Sequence, residues 1–503
     1  MNNIEDIKNW KTGLPITSVW NTGGFDLSWH VGNVKDGNRL IPSIKLPSTL
    51  KLEVEKLLLS LDANAEFLKY ISDNNLPLIL RDSGQIAQRM TERDRGQLPE
   101  SAVQWRIKPD GTLDSTPVAD PFGPVSLWFQ EGETIANSAW MKKLQELCPN
   151  PLWVGYWDNN EIGYANPKMY VNPKTKTWKT YDELTGVSLR LRDYVYNEDK
   201  TLKVDSNPYI FWPEFYSRRK EHFQAFYSGI TSNLTSWSGK QLIPVAYSAG
   251  AAFDSLPSEI IDQIGYAPEA VCYDGTGPSY YPGAYLPKDL MNEENVIKAK
   301  NNMAAWDQNK AKNPNAFRTV FLSMVQKAAI APAYENGQEV SSPKIFQAYS
   351  EWVAWLVRKP GEPVLLQHWI GNATKPSDLF FDEERQMDLE ALGRVDLASV
   401  THGEYAQAVI EASDRISSEI IRDFWLKGES IPQESVSEDY RLVLTKLGDK
   451  ALVYAWSSKA LTGKITVTVP GFGDFEINAP SMGGKYILIA PPPPSNFIIT
   501  ELT

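Results

Sequence analysis

The stretch that decides the fold is Trp153-Val-Gly-Tyr-Trp-Asp-Asn-Asn-Glu-Ile162. It begins as a short apolar run of the kind that forms a buried strand, and it ends in four consecutive polar residues, Asp158 to Glu161. A buried strand that delivers hydrogen-bonding and ionisable groups at its carboxyl end is how a parallel α/β barrel builds a functional site. The stretch therefore predicts one strand of a parallel sheet with reactive groups at its tip.

Strand-like and helix-like segments alternate on both sides of this stretch, which is typical of a parallel sheet with helical crossovers. The predicted strands are Phe25–Val31, Pro77–Arg81, Val125–Phe129, Trp153–Trp157, Leu242–Tyr247, Ala270–Tyr273, Arg318–Val325 and Pro363–Trp369. Eight such strands in order predict an α/β fold, a (β/α)8 TIM-type barrel over residues 1–430. Polar excursions over residues 91–121 and after Glu161 are expected to be long loops on the face that carries the site.

The pattern changes after about Gln433, where short alternating segments are separated by turn residues. The predicted strands are Arg441–Leu444, Ala451–Trp456, Lys464–Val469, Phe475–Asn478, Lys485–Ala490 and Phe497–Thr500. They predict a C-terminal antiparallel β-sandwich domain over residues 436–503.

Composition excludes several classes of function. The net charge of -12 argues against a nucleic-acid partner, because phosphate binding needs a positive face. Four His and two Cys without ligand-like spacing predict no metal site, and the lack of a glycine-rich phosphate loop predicts no nucleotide cofactor. No run reaches the length of a membrane span. We expect a protein that lies in the cytoplasm or is secreted with its signal peptide removed; its oligomeric state is left open.

Aromatic residues are plentiful, with 17 Trp and 22 Tyr. Their rings bury well in cores and also stack on the C–H faces of sugars in open clefts. This supply favours a carbohydrate ligand.

The pair Asn160-Glu161, placed directly after a predicted strand, resembles the strand-four Asn-Glu signature of the large clan of retaining glycoside hydrolases with (β/α)8 barrels. The resemblance implies that Glu161 is the general acid/base and that Asn160 contacts the sugar beside the scissile bond. Flanking apolar residues such as Ile162 favour a partly desolvated carboxyl with a raised pKa, as a general acid requires.

The second catalytic group of that clan is a Glu at the end of strand seven, and here the pattern departs. Ser323 and Gln326 stand where a carboxylate is expected. Glu335 in the following loop could supply it, the strand register could differ, or Asp274 after predicted strand six could be the partner. We favour Asp274 narrowly, because the glycine-rich stretch after it permits close approach of a ligand.

Tyr273-Asp274 and Trp369 also resemble the chitinase-type barrels, in which the N-acetyl group of the substrate acts as nucleophile. In that family an Asp stands two residues before the acid, whereas Asp158 stands three before Glu161. The resemblance at Tyr273-Asp274 and Trp369 nevertheless makes a substrate-assisted hydrolase the alternative mechanism.

Other residues at the predicted strand ends are candidate sugar contacts, since strand tips offer aromatic and polar groups to hydroxyl-rich ligands. The candidates are Trp29, His30, Trp128, Asp158, Asn160, Tyr273, Tyr281, Gln326, His368 and Trp369. The sequence thus predicts a glycoside hydrolase acting on an oligo- or polysaccharide. A carbohydrate-binding pseudoenzyme is the non-catalytic alternative, and a lyase or isomerase on the same fold is a third class.

Overall fold

The computed structural model places the chain in two compact units. One comprises Met1–Ser43, Ser279–Ala304 and Phe317–Thr503, and the other comprises Ile44–Pro278 and Ala305–Ala316. The structure describes residues 13–20, 27–36, 39–45, 58–59, 61–82, 103–115, 118–119, 124–158, 171–172, 174–187, 189–210, 221–222, 224–234, 237, 241–246, 275–276, 279–280, 317–323, 342–369, 373–381, 383–391, 393–432, 437–491 and 498–502.

Strands and helices alternate along most of the described chain. The strands before the C-terminal region are β1 Pro15–Trp20, β2 Ser43–Lys45, β3 Leu78–Asp82, β4 Val103–Gln104, β5 Val118–Ala119, β6 Trp153–Asp158, β7 Gln241–Ala246, β8 Gly275–Thr276, β9 Ser279–Tyr280, β10 Phe317–Ser323 and β11 Val364–Trp369. The helices are α1 Leu27–Lys35, α2 Ala65–Asp73, α3 Val125–Ala136, α4 Ala139–Leu147, α5 Leu189–Val195, α6 Pro343–Val357, α7 Glu383–Ala391, α8 Val395–Ala398, α9 His402–Ile416 and α10 Glu419–Lys427. Residues 221–222 and 224–231 are also helical.

Each unit contains its own run of parallel strands. In the first unit β11 pairs with β1 on one side and with β10 on the other, and β10 also pairs with β9. In the second unit β3, β6, β7 and β8 pair in that order. The predicted α/β character with parallel strands is confirmed, while closure into an eight-stranded barrel stays a prediction.

The C-terminal region is antiparallel. Its strands are β12 Glu429–Ile431, β13 Arg441–Leu447, β14 Lys450–Ser457, β15 Lys464–Val469, β16 Gly473–Asn478, β17 Gly483–Ala490 and β18 Ile498–Leu502. Five form a sheet in the order β12-β13-β14-β17-β18, and β15 and β16 form a second sheet of two strands. The predicted strands of this region are confirmed, and the division into domains at residues 430–436 stays a prediction.

Alternation along β14 explains how both faces of the five-stranded sheet are buried. Ala451, Val453 and Ala455 pack with apolar residues of β15 and β16. The residues between them, such as Tyr454, pack instead with α6 in a second core. Because successive side chains of a strand point to opposite faces, one strand serves both cores.

Two predicted strands are wrong. Phe25–Val31 overlaps helix α1, and the first strand among the described residues lies earlier, at Pro15–Trp20. Val125–Phe129 opens helix α3, for which Pro124 is the N-cap. The buried residues of α3 include Trp128, Gly132 and Ile135, a helical spacing that a five-residue apolar run does not reveal. The predicted strand at residues 270–273 lies outside the described residues.

Helix α10 ends in a buried cap made by Arg358. The guanidinium donates to the carbonyl oxygens of Phe424, Trp425 and Gly428, and it lies 5.3 Å from the centre of the Trp355 ring. A cation at a helix C-terminus interacts favourably with the helix dipole and satisfies carbonyls that have no partner within the helix. This contact fixes the chain just before β12.

Candidate active site

The ends of β3 and β6 lie side by side in the second unit. Asp82 is the register partner of Asp158, and Asp158 in turn is the register partner of Ala246 at the end of β7. Parallel strands end at the same edge of a sheet, so the polar stretch that follows Asp158 leaves from the edge at which Asp82 also ends. Two acidic residues therefore occupy neighbouring strand ends, and one of them, Asp158, stands two residues before Asn160 in the sequence.

A buried cation lies one residue before this edge. Arg81 is 5% exposed, and desolvation by burial lowers the pKa of its guanidinium to about 9. Even so it is positively charged at neutral pH. A buried positive charge favours the ionised form of any carboxyl within a few ångströms, so this position can hold an acidic group deprotonated. The sequence marked Arg81 only as the last residue of a strand, because nothing in the pattern showed that its charge is buried.

The excursions that follow β3 and β6 join into one small subdomain. Residues 105–107 of the first excursion bond to residues 186–189 of the second: Ile107 N donates to Val187 O at 2.9 Å, and Leu189 N donates to Trp105 O at 2.9 Å. We call the described residues 103–119 and 171–210 the tip subdomain. Because its two halves leave from neighbouring strand ends, it is tethered twice at the same edge of the sheet.

The tip subdomain has its own aromatic support. The Tyr181 ring lies 4.0 Å from the guanidinium carbon of Arg192 and makes an edge contact with Tyr196. Trp178 Nε1 donates to the Asp205 carbonyl at 2.9 Å. The described parts of the two predicted loops are therefore joined to each other by backbone hydrogen bonds, with ring contacts within the second, rather than being independent segments.

The ends of β1 and β11 in the first unit differ in chemistry. Trp20 is the register partner of Trp369, and Ser323 at the end of β10 is its partner on the other side. Two residues earlier along the same strands, Ser18 and Gln367 are register partners and are buried. Among the described residues, Ser18 Oγ and Gln367 Nε2 are buried polar atoms without a hydrogen-bond partner.

These two side chains lie on the face of the strands opposite the helices. Their neighbour Thr17 bonds to α9, where its hydroxyl lies 3.0 Å from Ser413 Oγ, and His368 packs on α6. Alternation then directs Ser18 and Gln367 away from the helices. Buried polar groups without partners are rare and costly, so this face has unused hydrogen-bonding capacity near the strand ends.

His368 was predicted as a sugar contact, and its position does not fit that role. It is fully buried, its ring lies 5.3 Å from Phe346 of α6, and Nδ1 lies 3.0 Å from Leu322 O. Desolvation lowers the pKa of the imidazole to about 3, so it stays neutral. The sequence argument treated His368 and Trp369 alike as strand-end residues, although strand alternation directs the side chain of His368 to the helix side.

Three further candidates lie on helices, which removes the strand-end basis of their prediction. Trp29 and His30 belong to α1, and His30 is buried. Trp128 belongs to α3, is buried, and stacks on His222 with ring centres 5.1 Å apart.

The remaining candidates stay predictions. Asp158 ends β6, and Trp369 ends β11 and is partly buried. Glu161, Asn160, Asp274, Glu335, Tyr273, Tyr281 and Gln326 lie outside the described residues. Gly275, the chain neighbour of Asp274, pairs with Val245 of β7 and belongs to β8.

Within the described part of the chain, no group of three or more His, Cys, Asp or Glu is placed to hold a metal ion. None of its helices combines the length and apolar character needed to cross a membrane.

Comparison with known proteins gives no match to any protein-family model and none to any curated protein. Solved structures show weak likeness over nearly the whole chain. Trehalose-6-phosphate hydrolase of Bacillus licheniformis has a TM-score of 0.47 at 10% identity, covering 95% of this chain and 99% of that one. Isomaltulose synthase of Klebsiella sp. LX3 has a TM-score of 0.45 at 8% identity, covering 98% and 99%. A GH30 endoxylanase of Clostridium papyrosolvens C71 has a TM-score of 0.40 at 8% identity, covering 95% and 96%.

Proposed function

We propose that the protein is a glycoside hydrolase that cleaves an oligo- or polysaccharide at the carboxyl ends of a (β/α)8 barrel. Glu161 acts as general acid/base, and a second carboxylate, Asp274 or Glu335, acts as nucleophile or base. The observation that supports this most directly is the paired end of β3 and β6. The strand predicted from Trp153–Trp157 is present, and it ends beside another acidic strand end three residues before Glu161.

The surroundings support acid chemistry at this edge. Glycoside hydrolysis needs one carboxyl that is protonated and one that is ionised. A buried cation such as Arg81 favours the ionised form of a nearby carboxyl, whereas an apolar environment raises the pKa of an acid that must carry a proton. The acids from Asp158 to Glu161 are flanked in the sequence by the aromatic residue Trp157 and the aliphatic residue Ile162. Two carboxyls in unlike environments are the arrangement that the reaction requires.

The proposed reaction follows from these roles. Glu161 gives its proton to the glycosidic oxygen as the bond to the anomeric carbon breaks, and the second carboxylate either attacks that carbon or activates a water. A carboxyl separation of about 5–5.5 Å implies retention of configuration, and about 6.5–9.5 Å implies inversion. The tip subdomain, tethered at the same edge, forms one wall of the cleft and favours an extended chain over a single sugar.

The test is Glu161→Gln, which keeps the size and hydrogen bonding of the side chain but removes the transferable proton. After a screen of polysaccharides and aryl glycosides by reducing-sugar release, activity of the variant should fall by about two to four orders of magnitude. Glu66→Gln is the matched control, since Glu66 is an exposed residue of α2 in the same unit. Normal turnover by Glu161→Gln would reject the assignment.

A carbohydrate-binding pseudoenzyme is the second candidate function, and the sequence at the end of β10 favours it. This strand ends at Ser323, and the next three residues, Met324 to Gln326, contain no carboxylate. Calorimetric titration with the same polysaccharides separates the two: binding with no release of reducing ends favours the pseudoenzyme. Activity restricted to substrates with an N-acetyl group would favour the substrate-assisted mechanism instead.

A further inference from the structure

A buried carboxyl lies between helix α6 and the C-terminal sheet. Glu351 of α6 is completely buried, and its Oε1 accepts from Gln347 Nε2 at 3.2 Å and from Arg415 Nη1 of α9 at 3.5 Å. Tyr454 of β14 and Tyr486 of β17 face it from the sheet. Helix, helix and sheet thus meet at one ionisable group, which the proposed chemistry does not use.

The hydrogen bonds around Glu351 permit it to exist in two protonation states. Arg415 makes its shorter bond to the Gly484 carbonyl, at 3.1 Å, and its guanidinium lies 5.1 Å from the centre of the Tyr486 ring. The guanidinium therefore keeps partners when Glu351 is neutral. Conversely, Glu351 Oε2 is buried without a hydrogen-bond partner among the described residues, so the ionised carboxylate is only half satisfied. Such an arrangement favours the neutral acid.

The aromatic groups around the carboxyl hold the junction closed. Tyr454 Oη donates to the Ala348 carbonyl of α6 at 2.9 Å, and Trp355 Nε1 of α6 donates to Tyr486 Oη at 2.8 Å. A Cβ at Gly484 would lie 2.1 Å from Tyr454 Oη, so the packing leaves no room for rearrangement. A charge that forms here must therefore be accommodated by the contact between α6 and the sheet itself.

We propose that Glu351 is a proton-sensitive clasp that holds helix α6 to the C-terminal sheet more tightly when it is protonated. The clasp acts within the first unit and does not depend on the proposed function. The charged and titratable groups that face it are Arg415 from α9 and the hydroxyls of Tyr454 and Tyr486 from β14 and β17. Its own helix contributes the neutral amide of Gln347.

The direction of the pH effect follows from the pKa values. Desolvation raises the pKa of Glu351 from 4.5 to about 7, and Arg415 together with nearby hydrogen bonds opposes this only in part. Burial also raises the pKa of both tyrosines well above 10, so only Glu351 titrates near neutrality. A carboxyl whose pKa is higher in the folded state stabilises fully below pH 4.5, and this contribution is lost as pH rises through about 7.

The experiment compares thermal unfolding of the full chain between pH 4.5 and 8.5 for the wild type, Glu351→Gln and Glu411→Gln. Glu411 is an exposed residue of α9 and serves as the control. We expect the midpoints of the wild type and of Glu411→Gln to decline relative to that of Glu351→Gln as pH rises from 5 to 7.5, because the buried histidines His368 and His402 contribute equally to all three proteins and cancel in this difference. Equal slopes for all three proteins would overturn the proposal.

A second variant tests the direction of the pH effect on stability independently, and it remains informative if Glu351→Gln folds poorly. Arg415→Met removes the positive partner, so the pKa of Glu351 should rise further and the fall in stability should move to higher pH. Hydrogen exchange, corrected for the intrinsic effect of pH, should show that the amides of α6 and β17 lose protection as Glu351 ionises. The clasp would be contradicted if stability fell at the same pH or at a lower pH in Arg415→Met than in the wild type. It would also be contradicted if the protection of these amides against exchange did not change with pH.

Discussion

The strand ends of the two units differ in kind. In the second unit Asp82 and Asp158 are register partners, whereas in the first unit Trp20 and Trp369 are register partners. Carboxylates move protons and stabilise charge, and indole rings stack on sugars with little change between ground state and transition state. The run β3-β6-β7-β8, which we call the acidic run, thus has carboxylates at two neighbouring strand ends, whereas the run β1-β11-β10, which we call the aromatic run, has indole rings at two neighbouring strand ends.

The largest expected effect on kcat identifies the second catalytic carboxylate of the proposed site. Its outcome tests whether the acidic run and the aromatic run differ in function. Asp274 precedes β8 in the acidic run, whereas Glu335 follows β10 in the aromatic run. We expect Asp274→Asn to lower kcat by about two to four orders of magnitude, as the loss of a catalytic acid or base does, and Glu335→Gln to lower it less than about tenfold.

The opposite ranking would favour Glu335 as the second catalytic carboxylate. Proton NMR of the first product formed by the wild type would then give the anomeric outcome and hence the carboxyl separation. If neither substitution lowers turnover, the substrate-assisted mechanism gains support.

A smaller effect, on KM, is expected at Trp369 in the aromatic run. Trp369→Ala removes a partly buried indole at the end of β11, and the loss of ring stacking should raise KM by up to about tenfold while kcat changes little. Trp369→Phe, which keeps a flat ring, should recover most of the affinity. A fall in kcat at constant KM would place Trp369 in the chemistry and remove the distinction between the two runs.

The smallest effect, on the free energy of unfolding, concerns the contact between β1 and helix α9. Thr17 Oγ1 lies 3.0 Å from Ser413 Oγ and 3.2 Å from the Val409 carbonyl, on the helix side of β1. Thr17→Val keeps the shape and removes this hydroxyl, so the free energy of unfolding should fall by about 1 kcal/mol, measured by denaturant titration. Both kcat and KM should stay at wild-type values. A changed KM would show that the helix side of β1 is coupled to ligand binding.

Much of the fold could be predicted from local patterns. β6, β11 and the C-terminal strands were found because their alternation and turn residues are local signals. Phe25–Val31 and Val125–Phe129 failed because a short apolar run fits either a helix or a strand, and the wider packing decides between them. The pairing of residues 105–107 with residues 186–189 has no local signal, so two loops were predicted where one subdomain exists.

The candidate site was less predictable, and the reason is the direction of side chains. Trp369 and His368 are adjacent in sequence, yet His368 packs on α6. Ser18 was missed because the first strand was placed ten residues too late. Glu351 lies in a helix that is otherwise largely apolar, and only the packing shows that its carboxyl is enclosed.

The position of β1 bears on how the chain must be made. The Gly13 carbonyl accepts from Trp425 Nε1, 412 residues away, and Thr17 meets Ser413 across 396 residues. A ribosome adding about 5–20 residues per second needs on the order of 20–80 s to deliver those partners. Throughout that interval β1 lacks β11 and α9, and its apolar residues are exposed to other chains. Among the described strands, β1 is thus the first to be synthesised and one of the last to be completed, and we expect a chaperone that shields residues 14–20 during synthesis to raise the yield of native protein.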